Sequence, residues 1–194
     1  MEKLLYIFRH GQSTYNLAGR TQGQTNDSVL TELGKQQAEN IGKKLKDKQI
    51  DIIICSPLTR AKQTADIANK ELQKQIIYDN HFIEVNVGEI EGMHYTEIQK
   101  KFGEKYQKWR SVETKYENER FKGGESKKEV RLRVFEGLKK YVKDTKYQSI
   151  AISSHGIMLS QILIALGLNG SEIPNGAILC LAYSNEEWIV KGFI

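Results

Sequence analysis

Cysteine is nearly absent from this 194-residue chain, and the two present, Cys55 and Cys180, each sit inside an apolar run. That placement argues against a disulfide framework or a thiolate metal site and fits buried, reduced thiols. Proline is as scarce: Pro57 and Pro174 alone punctuate the chain, and no low-complexity tract or repeat marks a linker. No apolar run is long enough to cross a bilayer. The longest, Ile157–Leu168, contains Ser160 and Gln161 and falls short of the ~20 residues that a spanning helix needs. Leu4–Phe8 is too short for the apolar stretch of a signal peptide and leads straight into Arg9 and His10. A cytoplasmic protein with no membrane partner is the expectation. Also missing are the glycine-rich P-loop signature and the HExxH and CxxC spacings, so no metal site and no cofactor is expected.

Hydrophobic residues make up 39% and charged residues 27%, the proportions of an ordinary globular chain, and the length suits one domain spanning residues 1–194. A net charge of +5 favours anionic ligands. The basic residues are dispersed, however: Lys43, Lys44, Lys46 and Lys48 stand beside Asp47 and Gln49. Nucleic-acid binders cluster such charge on one face beside a known module, so no nucleic-acid partner is expected. The sequence is silent on oligomeric state.

Short apolar runs alternate with amphipathic stretches. Leu4–Phe8, Ile52–Cys55, Ile76–Tyr78, Ser149–Ser153, Ala177–Tyr183 and Trp188–Val190 read as strands. Thr31 can cap a helix to about Lys46, with Leu33, Ala38, Ile41 and Leu45 mostly on one face. Ser56-Pro57 opens another helix to about Leu72, with the proline near its first position. Residues 95 to about 144 read as helical with a polar interruption near Asn118–Glu125, and Ile157–Leu166 as a further helix. This alternation predicts an α/β three-layer sandwich around a mostly parallel sheet. Arg9-His10, Ser56-Pro57 and His155 each follow a strand, the end where open α/β sheets bind ligands.

A histidine after the first strand, with its Nδ1–H held by a carbonyl, leaves the Nε2 lone pair free to attack phosphorus. Arg9 beside it offers a planar fork of donors matching phosphate oxygens. Such a tripeptide also arises by chance in surface loops. Here it extends through Arg9-His10-Gly11-Gln12-Ser13, Asn16, Gly19-Arg20 and Gln22-Gly23. Then follow Leu30-Thr31 with Gly34, Ser56-Pro57-Leu58 with Arg60-Ala61, Gly124-Glu125-Ser126 with Arg133, and Ser154-His155-Gly156. In this order the set resembles the histidine phosphatase superfamily, which includes cofactor-dependent phosphoglycerate mutases, and the resemblance runs from Leu4 to about Val190. It implies a phosphoglycerate mutase-like fold and hydrolysis of a small phosphorylated metabolite through a phosphohistidine on His10. It implies further that Arg9, Arg60 and a cationic His155 surround the phosphoryl group, with Asn16, Gln22, Gly23 and Gly156 contacting substrate. Glu84 matches the proton donor, although Glu89 and Glu91 are close by in sequence. His81 and His94 lack a strand-end position and read as loop residues.

Two departures bear on the reaction. Where mutases of the family carry an arginine and a tyrosine after the glutamate, this chain has Val85 and Val87, and the stretch from Glu84 to His155 is compact. Both favour hydrolysis over the alternative mutase reaction; a non-catalytic phospho-ligand module is the third reading. The segment Gly23–Ser28 is one residue longer than usual, which bears on how Gln22 and Gly23 are placed. Residues 95–125 form a candidate cap. Within it, Lys105–Phe121 holds Tyr106, Trp109, Arg110 and Phe121, either reading the substrate's organic part or forming an aromatic core face.

Overall fold

The computed structural model describes residues 2–171 and 173–194. The apolar runs form strands β1 (Lys3–Arg9), β2 (Ile52–Cys55), β3 (Ile76–Tyr78), β4 (Ser149–Ser154), β5 (Ile178–Ser184) and β6 (Glu187–Phe193). The helices are α1 (Thr14–Leu17), α2 (Glu32–Leu45), α3 (Thr59–Leu72), α4 (Tyr95–Arg110), α5 (Lys127–Lys143) and α6 (Gly156–Ala165). The sheet runs β3-β2-β4-β1-β5-β6. Its first four strands are mutually parallel, and β5 and β6 close the far edge antiparallel.

The period-two geometry of a strand sends alternate side chains to opposite faces. Leu5, Ile7, Ile52, Ile54, Ile150, Ile152, Leu179 and Leu181 enter one core beneath α5 and α6, which Ile98, Tyr106 and Trp109 of α4 extend. Tyr6, Phe8, Ile53, Cys55, Ala151, Ile178 and Cys180 enter the other, against α2 and α3. Three layers result, as the alternation of elements requires. Each fully buried Leu or Ile contributes ~1.5–3 kcal/mol, so filling both faces makes the central strands the rigid part of the molecule. Both cysteines are buried and free.

Several local expectations are corrected. Leu33 is exposed, because α2 is covered along the line of Ala38, Ile41 and Leu45 only. Pro57 precedes the cap of α3 instead of occupying its first turn: Leu58 is the capping residue and Thr59 the first helical one. The polar interruption is wider than expected, since α4 ends at Arg110 and α5 begins only at Lys127. The four-residue α1 was not foreseen; Ser13 caps it, accepting from the Asn16 amide at 3.2 Å. His94 caps α4, and His81 sits in a 3-10 turn with its Nδ1 2.6 Å from Asp79 Oδ1.

The loop after β1 is clamped onto the start of α2. Thr31 caps α2 through the Gly34 amide at 3.1 Å, and its own amide donates to Gln12 O at 2.9 Å. The two segments approach so closely that a Cβ on Gly34 would lie 2.0 Å from Gln12 O, and one on Gly11 would lie 2.2 Å from Gly34 O. Backbone contact of this kind pins the residues next to His10.

In an open helix, Gly→Ala gains ~1 kcal/mol. At Gly34 the backbone collision should reverse that sign, and urea unfolding of Gly34→Ala should show a net loss of ~1–3 kcal/mol. A more stable variant would mean that this close approach does not exist.

Candidate active site

The strand order brings three sequence-distant segments together. β2, β4 and β1 are adjacent and parallel, with Arg9 level with Ser154 and Cys55 level with Ser153. The residues that follow, Ser56, His155 and His10, therefore emerge side by side at the C-terminal edge of the sheet. Arg9 is itself the last residue of β1. His10 and His155 meet edge to face, with ring centroids 5.3 Å apart.

His10 is 2% exposed, and its Nδ1 lies 2.7 Å from the carbonyl oxygen of Gly11. A carbonyl only accepts, so Nδ1 carries the proton and the lone pair is on Nε2. Arg60 Nε donates to that Nε2 at 3.2 Å, which agrees with the same tautomer. Arg60 is fully buried near the start of α3, and its remaining donors reach Gly23 O at 2.7 Å and Thr25 O at 3.0 Å. The longer 23–28 segment thus supplies the carbonyls that aim Arg60, and both Gln22 and Gly23 line the cavity. Gly23 has φ +54°, and a Cβ there would strike Val87 Cγ2 at 2.5 Å, so glycine is needed on two counts.

Arg9 donates through Nη1 to Ile173 O at 2.5 Å, while its buried Nε has no partner. The start of α6 lies against this guanidinium: a Cβ on Gly156 would sit 3.3 Å from Arg9 Nε. His155 caps α6 and is fully buried; Nε2 lies 2.7 Å from Ser56 Oγ, and Nδ1 has no partner. Asn16 Oδ1 accepts from Ser13 N at 3.1 Å and from Asn175 Nδ2 at 3.2 Å. These bonds leave the Asn16 amide nitrogen for the cavity. Gln22 is fixed likewise, accepting from Ser13 Oγ at 2.8 Å.

Among the described residues Glu84 is the one carboxylate on the cavity wall, which separates it from its neighbours Glu89 and Glu91. Its oxygens accept from Val85 N at 3.0 Å and, at the start of α6, from Ile157 N at 3.2 Å and Met158 N at 3.3 Å. Behind it, Arg133 pairs with Glu125 and also donates to His81 O and Ile83 O, both at 2.9 Å. Gln24 Nε2 holds Glu84 O at 2.9 Å. This network fixes the chain that delivers the carboxylate.

The cavity encloses about 460 Å³. Arg9, His10, Asn16, Gln22, Gly23, Arg60, Glu84 and Gly156 all reach its wall, whereas His155 does not line it and touches it through the edge-to-face contact with His10. Tyr106, Trp109, Arg110 and Val112 supply another part of the lining. Trp109 packs on Phe121 with centroids 5.7 Å apart, as a core face would, and residues of the same cluster line the cavity. Ser56, placed at the ligand end of the sheet by its position after a strand, supports His155, while Asn175 and Lys127 also belong to the site or its support and are not found from sequence. Asn175, which donates to His10 O at 3.0 Å, carries no signal in the sequence. Lys127 directly follows Gly124-Glu125-Ser126, but only packing by α4 makes it buried. Among the described residues, no group of three or more His, Cys, Asp or Glu side chains is placed to hold a metal.

Burial, with Arg60 and Arg9 nearby, pushes the pKa of His10 well below the ordinary 6.5, against an opposing pull from Gly11 O. Burial and the same arginines, with His10, do likewise to His155. In the unliganded site desolvation therefore favours the neutral ring of His155, whereas the cationic His155 expected from sequence belongs to a site that holds a phosphoryl group. Burial also lowers Arg60 to about 10, although Glu84 opposes the shift.

A model of the family described as "Histidine phosphatase superfamily (branch 1)" matches residues 5–193. The chain is 29% identical over 192 residues to a Bacillus subtilis (strain 168) protein called "Uncharacterized phosphatase PhoE", covering 96% of this chain and 92% of that one. It is also 29% identical over 197 residues to the "Probable phosphoglycerate mutase GpmB" of Erwinia tasmaniensis, covering 98% and 89%. Among solved structures, Bacillus stearothermophilus YhfR superposes with a TM-score of 0.87 at 25% identity, over 97% of this chain and 95% of that one.

Because both histidines are held neutral, their ring-proton NMR signals should not move between pH 8 and pH 6.5, about the ordinary midpoint, and should titrate only well below it. The sign for stability follows. The unfolded chain takes up protons near pH 6.5 that the folded one refuses, so stability should fall as pH drops below about 6.5. Ordinary titration of either ring near 6.5 would contradict the buried, cation-flanked arrangement.

Proposed function

The chain belongs to the histidine phosphatase superfamily, and we propose that it hydrolyses small phosphomonoesters through a phosphohistidine on His10. The observation that carries this reading is a surplus of buried donors around one nitrogen lone pair. Arg9 Nε has no partner and Arg60 Nε has only His10 Nε2, and His155 Nδ1, also without a partner, is a donor when the Ser56 hydroxyl donates to Nε2. Unsatisfied buried donors are costly, and a phosphoryl dianion supplies several acceptors at once.

In the first step the Nε2 lone pair of His10 forms a bond to phosphorus while the bond from phosphorus to the ester oxygen breaks. Arg60 Nε then turns from Nε2 to a phosphoryl oxygen, joining Arg9, His155 and the Asn16 amide. Fixed positive charge at the equatorial oxygens is the main requirement of phosphoryl transfer, and the guanidinium groups of Arg9 and Arg60 supply it without a metal ion. The dianion also offsets the desolvation that keeps His155 neutral, so His155 gains its proton as the phosphate enters. Glu84, in its acid form, gives its proton to the leaving alkoxide. In the second step Glu84 takes a proton from water, the hydroxide oxygen bonds to phosphorus, and the P–N bond returns its pair to His10.

The mutase reading differs only in what enters the second step. Val85 and Val87 present apolar surface to the cavity, with no side-chain donor to grip the second phosphoglycerate. Water is the acceptor that this wall favours.

Glu84→Gln should lower kcat on alkyl phosphates by ~100-fold or more, the usual scale of acid–base assistance, and harm aryl phosphates far less. His10→Ala should abolish both, and alkaline quenching should trap label on the wild type alone. Equal alkali-stable labelling of both proteins would name a different nucleophile. EDTA should leave aryl phosphate hydrolysis nearly unchanged; loss restored by a divalent ion would rule out the metal-free route.

A further inference from the structure

The phosphoryl scheme leaves part of the cavity's charge unused. Among the described residues, Arg9, Arg60, Arg110 and Lys127 reach its wall against the single carboxylate of Glu84. Arg9 and Arg60 are taken up by the phosphoryl group, and Arg110 is exposed. Lys127 remains, the first residue of α5 and only 7% exposed. A lysine so buried almost always has a carboxylate partner. Even the exposed Lys128 and Lys140 of the same helix reach carboxylates, those of Glu117 and Asp79. Lys127 instead donates to the carbonyl oxygen of Ser111 and lies 5.9 Å from the centre of the Trp109 ring. Burial alone lowers its pKa, to about 8, with no acidic group opposing the shift. A charge held this way costs stability unless something pairs with it.

Resting on the hydrolase reading, we propose that the substrate carries a second anionic group on its organic part, received by Lys127 beside Trp109. One ammonium N–H is spent on Ser111 and another side faces the indole, which leaves about one donor for a ligand. A carboxylate matches that better than a second phosphate, which asks for several donors. The aromatic and aliphatic surface of Tyr106, Trp109 and Val112 would cover the carbon skeleton between the two charged ends. Lys127 is thus a specificity-determining residue, distinct from the groups that move phosphorus.

Binding tests this independently of turnover. Calorimetry on His10→Ala would compare phosphorylated ω-hydroxycarboxylates of increasing chain length with their uncharged amides, and with the corresponding diol bisphosphates. At the chain length that fits, the acid should bind about tenfold or more tighter than its amide, the scale of a charge-assisted hydrogen bond. That preference should collapse toward one in His10→Ala/Lys127→Met and persist in His10→Ala/Lys127→Arg. A merely structural tie to Ser111 would not change the acid-to-amide ratio. A bisphosphate outbinding the acid, with the same dependence on Lys127, would keep the second-anion site and make phosphate its ligand. Equal binding of acid and amide at every length, or a preference surviving Lys127→Met, would overturn the proposal. The first comparison needs no change at Lys127, so it decides even if that variant does not fold. Failure of the wild type to hydrolyse any of these esters would count against the hydrolase reading alone.

Discussion

The site depends on one unusual constraint: a guanidinium is buried without a carboxylate bonded to it. Arg60 is the largest fully buried side chain among the described residues, and its hydrogen bonds go to two carbonyls and a histidine lone pair. Carbonyl dipoles satisfy the N–H groups but do not cancel the charge. The site therefore holds uncompensated positive potential before any ligand arrives, opposed on the cavity wall by Glu84. Burial, reinforced by that potential, keeps both histidines neutral.

The surrounding architecture can be understood as support for that charge. The 23–25 turn has to come close enough to present its carbonyls, which the glycine at Gly23 permits. The loop after β1 must hold His10 Nε2 within reach of Arg60, and backbone contact with α2 leaves it little freedom. Glu84 is held by amides at the start of α6, which fix the position of its carboxyl group. Glu125 and Arg133 keep the chain leading to it in place. Preorganisation of this kind lets electrostatic stabilisation act with little rearrangement during reaction.

The wall built by α4 and the start of α5 has a different character. It is mainly aromatic and aliphatic, and its aromatic rings also pack on one another. One cluster thus serves as core and as cavity lining, which couples the shape of the substrate pocket to the packing of the 95–125 segment.

Much of this was legible in the residues themselves. Apolar runs of strand length separated by amphipathic stretches leave a sheet covered on both faces as the economical arrangement, and the three layers follow. The placement of Arg9, His10 and His155 at strand ends could be read because strand ends are marked by where apolar residues stop. Local rules failed where neighbours decide. Leu33 has the periodicity of a core residue, yet no element covers it; Pro57 has the chemistry of a first helical turn, yet Leu58 takes the cap. The resemblance singles out Glu84 from Glu89 and Glu91 by register, but composition and periodicity do not, because that choice depends on which carboxylate faces α6. Only the tertiary structure could find Asn175 at His10 and Lys127 in the cavity, since neither carries a local signal of its partners. The charge state of His155 was also beyond the sequence. Residue type supplies a group that can be cationic, but the desolvation holding it neutral arises from everything packed around it.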